Sequence, residues 1–357
     1  MISTTRKWSG LPGLSPVAQR AALWSALAVA AIGAVTFGYF GMEAIGANRP
    51  QPPARPVAAA ASAPVATPTP TPAGKQPLIV HGTGDVNLDP RQLGSALSSF
   101  AAPWDGVRAL FTEDDLSIVN LECAPSPLGT PQDKEYNFRC DKGHEAMRDA
   151  GVDVANMGNN HSGDFGQEAL LDGRARLKRA GVEPVGAGRD DAEANAPAIF
   201  RLKGWRIAVL GFGGVVPARS WISGPGHPGV ADGYDTASMV RAVQAADAQA
   251  DLVFVAIHWG EELDTKPRPD DVYRAHTLID AGADAIFGHH AHRLQQLEFY
   301  KGRPIAYGLG NFVWPSGGPT AVAQVVISPN GNVNACLLPA RIGAGRPTLT
   351  GRTTCTA

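Results

Sequence analysis

The chain has 357 residues, 44% of them hydrophobic and 18% charged, with a formal net charge of −2 at neutral pH. That length allows two average domains or one large sheet protein. The near-neutral charge argues against a nucleic-acid partner, which normally demands a basic face.

From Ala21 to Met42 no side chain is charged, and the run matches the roughly 20 residues needed to cross a bilayer. Arg6, Lys7 and Arg20 precede it and Glu43 follows. The positive-inside rule then predicts a cytoplasmic tail over 1–20, a single transmembrane anchor over 21–42 in contact with the lipid bilayer, and the remainder outside the cell membrane, periplasmic or at the surface. A cleaved signal peptide fits less well, because the apolar run is too long and Ile45 stands where a small residue is wanted before Ala47. Residues 43–76 are dominated by Pro, Ala, Thr and Ser, a composition that buries no core and favours extended polyproline conformation. They predict a semi-rigid stalk below an extracytoplasmic domain spanning 77–357.

Within that domain, apolar runs rich in Val and Ile predict strands at Leu78 to His81, Ser117 to Leu121, Val152 to Met157, Arg206 to Gly211, Leu252 to Ile257 and Ala285 to Phe287. Helical periodicity falls between them, at Gln167 to Ala180 with a stop at Gly181, at Thr236 to Ala250, and at Pro269 to Ala281. Four further runs, Leu294 to Tyr300, Pro304 to Tyr307, Ala321 to Ile327 and Val333 to Pro339, follow one another across Lys301-Gly302 and Asn330-Gly331 turns, which predicts a second, antiparallel sheet. Two sheets face to face with helices outside give an α/β fold, a four-layer αββα sandwich.

All four cysteines, Cys123, Cys140, Cys336 and Cys355, fall in this domain, and an even count in an exported chain suggests two disulfides. Three pairings are possible. Joining Cys123 to Cys140 and Cys336 to Cys355 closes short loops, each worth about 3 kcal/mol on the chain-entropy model, and is favoured.

Five of the apolar runs end in residues suited to metal ligation: Gly84-Asp85, Asn120-Leu121-Glu122, Gly158-Asn159-Asn160-His161, His258-Trp259-Gly260 and Gly288-His289-His290-Ala291-His292. Ligands in open α/β sheets bind beyond the carboxyl ends of the strands, so these clusters can converge. Any one of them has an ordinary explanation: a turn-capping Asp85, a solvated Glu122, an Asn pair in a turn, or a hydrogen-bonded core His258. Together they point to a metal site of mixed N and O donors, suited to manganese, iron or zinc. His-x-His at a strand end points His290 and His292 to one side and His289 to the other.

The strings GDVNL, IVNLE, NMGNNHSGDFG, GAGRDDAEANAP, HWGEE and LIDAGADAIFGHHAHRLQQLEFYKGRPIAYGLGNFVW resemble the poly-γ-glutamate capsule synthesis (CapA-like) family of the calcineurin-like metallophosphoesterase superfamily, from about Leu78 to Trp314. The resemblance implies two divalent metal ions. By motif, Asp85 with His290 or His292 would hold one ion, Asn160 and His258 with the other His would hold the second, and Glu122 would bridge them. His161 would be the catalytic proton donor to the leaving group. Asn87, Asn120, Asn159, Glu261 and Asn311 would order ligands or substrate. Two positions depart from the superfamily pattern: Asn87 replaces the histidine of its first motif, and Glu122 replaces the aspartate of its second.

The implied function is capsule or surface-polymer biosynthesis, with an anionic polymer or a phosphoester as substrate and other capsule-synthesis membrane proteins as partners. Two alternatives accompany it: a non-catalytic accessory protein that binds the polymer, and a metal-dependent amide hydrolase acting on envelope polymers. No Gly-x-x-x-x-Gly-Lys-Ser/Thr loop occurs, which argues against an ATP-driven ligase acting alone.

Overall fold

The computed structural model describes residues 74–351 and 354–355. The expected tail, the expected membrane anchor at 21–42 and most of the expected stalk lie outside the described residues. Among the described residues no helix is long and apolar enough to cross a membrane. The longest, Gly166–Ala180, has 15 residues, which at about 1.5 Å each fall short of the roughly 30 Å hydrocarbon core. It also carries Arg174, Arg176, Lys178 and Arg179. On that finding the expectation of a single-pass membrane protein displaying its main domain outside the cell is corrected.

In chain order the first half comprises β1 (Leu78–Val86), α1 (Pro90–Leu93), α2 (Arg108–Glu113), β2 (Leu116–Leu121), α3 (His144–Asp149), β3 (Val154–Asn156), α4 (Gly166–Ala180), β4 (Glu183–Val185), β5 (Ala187–Gly188), α5 (Asp191–Ala194), β6 (Ala198–Leu202) and β7 (Trp205–Gly213). The second comprises β8 (Gly229–Val230), α6 (Thr236–Asp247), β9 (Leu252–Trp259), α7 (Pro269–Asp280), β10 (Ala285–His290), β11 (Leu297–Tyr300), β12 (Arg303–Ala306), β13 (Asn311–Val313), β14 (Gly318–Ile327), β15 (Val333–Gly343) and β16 (Arg346–Leu349).

These elements make a mixed α/β fold with two large sheets. One runs β16-β15-β14-β1-β2-β3-β4 with β13 also paired to β1, and the other runs β11-β12-β10-β9-β7-β6. Parallel pairing of β1 with β2 and of β9 with β10 follows from the helical crossovers between them. Both faces of such strands are covered, which is why β9 reads as the unbroken apolar run LVFVAIHW.

Strand alternation sorts that run into two cores. Phe254 and Ala256 join Val80, Ile118, Val154, Val209 and Phe287 between the sheets, while Val253, Val255 and Ile257 pack with Met239 and Val243 of α6 and Leu278 of α7. A third cluster sets Val119 and Leu121 against Phe111, Met147, Leu170 and Leu177 on the helical side of the first sheet. Helix α4 stops where Gly181 adopts φ 84°, its N–H donating to the Leu177 and Lys178 carbonyls.

The expected separate antiparallel sheet does not form. The Lys301-Gly302 turn folds β11 onto β12, but β12 then joins the second sheet parallel to β10. Similarly, β14 and β15 pair across Asn330-Gly331, and β14 joins the first sheet antiparallel to β1. Turn residues specify a hairpin, whereas the sheet it extends depends on which strand edge is free to receive it. Both disulfides, Cys123–Cys140 and Cys336–Cys355, are present, as the favoured pairing has them.

One close approach fixes the end of β1. A Cβ on Gly84 would lie 1.9 Å from the Gly310 carbonyl oxygen, the same oxygen that accepts from the Asp85 N–H at 2.9 Å. Gly84→Ala is therefore expected to destabilise the fold by about 3 kcal/mol or more, because a backbone carbonyl cannot rotate away as a side chain can. Gly343→Ala, with open space around the added methyl, should stay within about 0.5 kcal/mol of the parent. Urea unfolding midpoints at unchanged m-value would measure both, and equal midpoints would refute the close-approach argument.

Candidate metal centre

The carboxyl ends of strands from both sheets meet at one place. Asp85 of β1 pairs in register with Asn120 of β2, and His258 of β9 with His289 of β10. The sheets touch through Asn120, whose Nδ2 donates to Asp85 Oδ1 at 2.9 Å and lies 3.2 Å from His258 Nδ1. Asn120 is held in turn by Asn156 Nδ2, donating to its Oδ1 at 3.0 Å. Asn159 donates to the Leu121 carbonyl at 2.9 Å and accepts from the His161 N–H at 3.0 Å. These buried amides fix the turns on which the charged groups sit.

Glu122 follows β2 directly. Its Oε1 lies 3.7 Å from His258 Nε2 and 3.9 Å from His161 Nε2. One donor atom from each of Glu122, His290 and His292 lies within 4.8 Å of the others, and the same holds for Asp85, Glu122 and His258. Glu122 is common to both groups. This partition differs from the one the resemblance implies, since His290 and His292 fall together and Asp85 sits beside His258. Asn160 Oδ1 lies 2.8 Å from His258 Nε2, so their shared proton occupies the direction a cation would take.

His292 Nδ1 donates to Asn311 Oδ1 at 2.7 Å and lies 3.1 Å from Asp85 Oδ2. His290 and His292 adopt φ of 84° and 52°, left-handed conformations costing about 1–3 kcal/mol each that persist at ligand sites. His292 lies beyond β10, so strand alternation alone does not place it. His289 turns away from both groups, its Nε2 2.9 Å from the Thr83 carbonyl across the sheets and its Nδ1 3.2 Å from that of Ile257. Asn87 accepts from the Asp89 N–H at 2.9 Å, and its Nδ2 is buried without a partner. Glu261 is exposed and joins neither group.

The fit to a cation can be tested on the polar atoms themselves. Asp85 Oδ2, both Glu122 oxygens and His290 Nδ1 are buried without a hydrogen-bond partner. Each such atom costs about 1–3 kcal/mol, more when charged. Burial, reinforced by the charge of Asp85, pushes the Glu122 carboxyl well above its usual range. For Asp85, burial is outweighed by the nearby charge of His292, which holds it low. Burial and the neighbouring histidines hold His258 well below the usual imidazole range and His290 at about 4, leaving both neutral. Burial opposes protonation of His292 too, but Glu122 and Asp85 lift it to about 10. Two buried carboxylates thus face a single imidazolium, and a divalent cation suits the orphaned set.

Beside this set, His161 Nδ1 lies 2.8 Å from Asp164 Oδ2, while Lys134 Nζ donates to Asp164 Oδ1 at 2.7 Å. Phe138 stacks on the His161 ring at 4.1 Å. Burial lowers the His161 pKa, and Asp164 opposes that shift. Asn156, Asp164, Lys134 and Phe138 were not singled out in the sequence. Asp164 had a signal, three residues after His161 in NNHSGDFG; Lys134 and Phe138 lie in an irregular loop that had none.

A model of the bacterial capsule synthesis protein PGA_cap family matches residues 80–316. The capsule biosynthesis protein CapA of Bacillus anthracis is 35% identical over 210 residues, 57% of this chain and 51% of that protein. A probable polyglutamine synthesis accessory protein of Mycobacterium tuberculosis is 34% identical over 226 residues, 59% of each chain. The chain thus spans only about half of the length of these relatives. The solved NAD nucleotidase of Haemophilus influenzae aligns with a TM-score of 0.46 at 14% identity, over 77% of this chain and 54% of that one, too distant to carry an argument. With the family model covering residues 80–316, every strand-end cluster described above falls inside it, and the chain belongs to the bacterial capsule synthesis protein PGA_cap family, within the metallophosphoesterase-like superfamily.

Proposed function

We propose that this chain acts in capsule or related surface-polymer biosynthesis as a metal-dependent phosphoesterase. In this reading the fold is a four-layer αββα sandwich, and Asp85, Glu122, Asn160, His258, His290 and His292 hold two divalent ions, manganese, iron or zinc. The single observation that carries it is the set of buried, unpartnered donor atoms on Asp85, Glu122 and His290. When bound, such ions supply Lewis acidity toward a phosphoryl oxygen and acidify water.

The chain's own residues do the rest. Glu122, common to both donor groups, would contribute to holding both ions. Neutral His290 offers a lone pair without first losing a proton, whereas His258, also neutral, would first have to give up the Nε2 proton that it shares with Asn160. Asn120 keeps Asp85 and His258 in place through Asp85 Oδ1 and His258 Nδ1. His161 keeps its Nδ1 proton directed at Asp164 and presents Nε2 toward Glu122; in its imidazolium form, which burial opposes and Asp164 favours, it gives the Nε2 proton to the departing oxygen and is left as neutral imidazole. The substrate is an anionic polymer or a phosphoester of one, with other capsule-synthesis proteins as partners. The names of the Bacillus and Mycobacterium relatives support that setting.

Titrating the purified full chain with Mn²⁺ or Zn²⁺ should raise its unfolding temperature, by linkage worth about 2.7 kcal/mol at a hundredfold excess over Kd. Glu122→Gln should abolish the rise and leave the metal-free protein equally or more stable, since it removes a buried carboxylate that has no donor. A metal-independent unfolding temperature in the parent would sink the metal site.

On aryl phosphate monoesters and diesters, His161→Ala should lower kcat by about 10²- to 10⁴-fold with bound metal unchanged. A metal-loaded parent that hydrolyses neither ester would instead support the accessory, polymer-binding reading.

A further inference from the structure

We propose that the loop between Cys123 and Cys140 is the positioning element of His161, with Lys134 and Phe138 as the residues that act and the disulfide as the clamp that holds them there. The proposal rests on the reading of His161 as proton donor given above.

Both cysteines are fully buried and 17 residues apart, and Cys123 is the residue after Glu122. Backbone hydrogen bonds close the loop beside the disulfide: Ala124 N–H to Phe138 O at 2.9 Å, and Cys140 N–H to Ala124 O at 3.0 Å. Between Pro125 and Phe138 no helix or strand forms, so this segment has no regular ladder to fix it. Ordering an irregular loop of this length costs conformational entropy, and a covalent closure at its base removes part of that cost.

Several of the loop's hydrogen bonds converge on the His161–Asp164 pair. The Gln132 N–H donates to the Asp164 carbonyl at 2.8 Å. Lys134 Nζ donates to Asp164 Oδ1 and to the Asn160 carbonyl, both at 2.7 Å, and lies 3.3 Å from His161 Nδ1. The Phe138 N–H donates to Asp164 Oδ2 at 2.6 Å, and its ring lies over the imidazole with 22° between the planes. Asp164 thus receives donors from Lys134 and Phe138 on its two oxygens, which leaves Oδ2 aimed at His161 Nδ1. Rotation of the imidazole about χ2 would break the stack and the Asp164 hydrogen bond together. The opposing brace is Arg139, whose guanidinium donates to the Ser126, Leu128 and Gly129 carbonyls and can hold the loop's first turn without touching His161.

The test uses the full chain, metal-loaded, with the Cys336–Cys355 pair as internal control. Ring-proton resonances of His161, assigned by their loss in His161→Ala, should be shifted upfield by the stacked Phe138. Phe138→Leu and the double substitution C123S/C140S should abolish that shift, and C336S/C355S should keep it. On aryl phosphates, Lys134→Met, Phe138→Leu and C123S/C140S should lower kcat on the order of 10- to 100-fold with KM within about twofold, the signature of a misplaced catalytic group. Lys134→Arg should recover most of the loss.

Retention of both the shift and kcat in Lys134→Met and C123S/C140S overturns the proposal, as does an equal loss in C336S/C355S. Should C123S/C140S fail to fold, Lys134→Met and Phe138→Leu decide with the disulfide intact. Should the parent hydrolyse nothing, the hydrolase reading alone fails, and the His161 shift in C123S/C140S still decides whether the loop positions the ring.

Discussion

Two carboxylates buried where the protein supplies too little positive charge form the constraint on which the rest of this structure depends. Asp85 finds Asn120 and the imidazolium of His292; Glu122 finds no hydrogen-bond donor at all. A folded chain tolerates such a group only where the surrounding fold over-determines its position or where a cation completes it. The first condition holds here. The carboxylates sit at the ends of β1 and β2, strands buried on both faces in the middle of a sheet, so neither can swing out to water. The orphaned oxygens follow from topology and not from a loose loop.

The same topology explains why amides are so frequent around the site. Asn120, Asn156 and Asn159 each supply both a donor and an acceptor, and they link β2, β3 and the turn after β3 without adding charge. A charged residue in any of these places would deepen the electrostatic conflict around Glu122, and an apolar one would leave backbone groups at the strand ends unpaired. His289 serves the second sheet likewise. It is buried and neutral, and it ties β10 to the Thr83 carbonyl of β1. The centre is thus framed by neutral hydrogen bonds, and charge is confined to the residues that face inward.

Much of this was legible in the sequence. Parallel strands buried on both faces announce themselves as unbroken Val and Ile runs, and the runs at 78, 117, 152, 206, 252 and 285 fall on β1, β2, β3, β7, β9 and β10. Strand β1 continues to Val86 because Gly82 and Gly84, which look like a turn, serve close approach by Phe287 and Gly310. Clustering of ligand-type residues at strand ends was readable because carboxyl ends of parallel strands share one edge. The choice of sheet for each C-terminal hairpin was not, since nothing in Lys301-Gly302 or Asn330-Gly331 encodes the receiving edge. Nor were Lys134 and Phe138. Their role depends on a disulfide and on contacts far apart in sequence, neither of which leaves a periodic trace.

The division between strand-borne and loop-borne residues has a physical consequence for the site. Asp85, Asn120 and His258 lie within ladders that lock their backbones, so their mutual distances are set by sheet geometry. His290 and His292 hold strained left-handed backbone at and beyond the end of β10, and the strain is sustained by neighbours, Asn311 among them. His161 lies between these extremes: its backbone is fixed by Asn159, but its ring direction is set by Asp164 and by a loop from elsewhere in the chain. The positions of Asp85, Asn120 and His258 are therefore built into the sheets. The one group whose proposed task is to move a proton is held by side chains that can be removed singly without disturbing a strand.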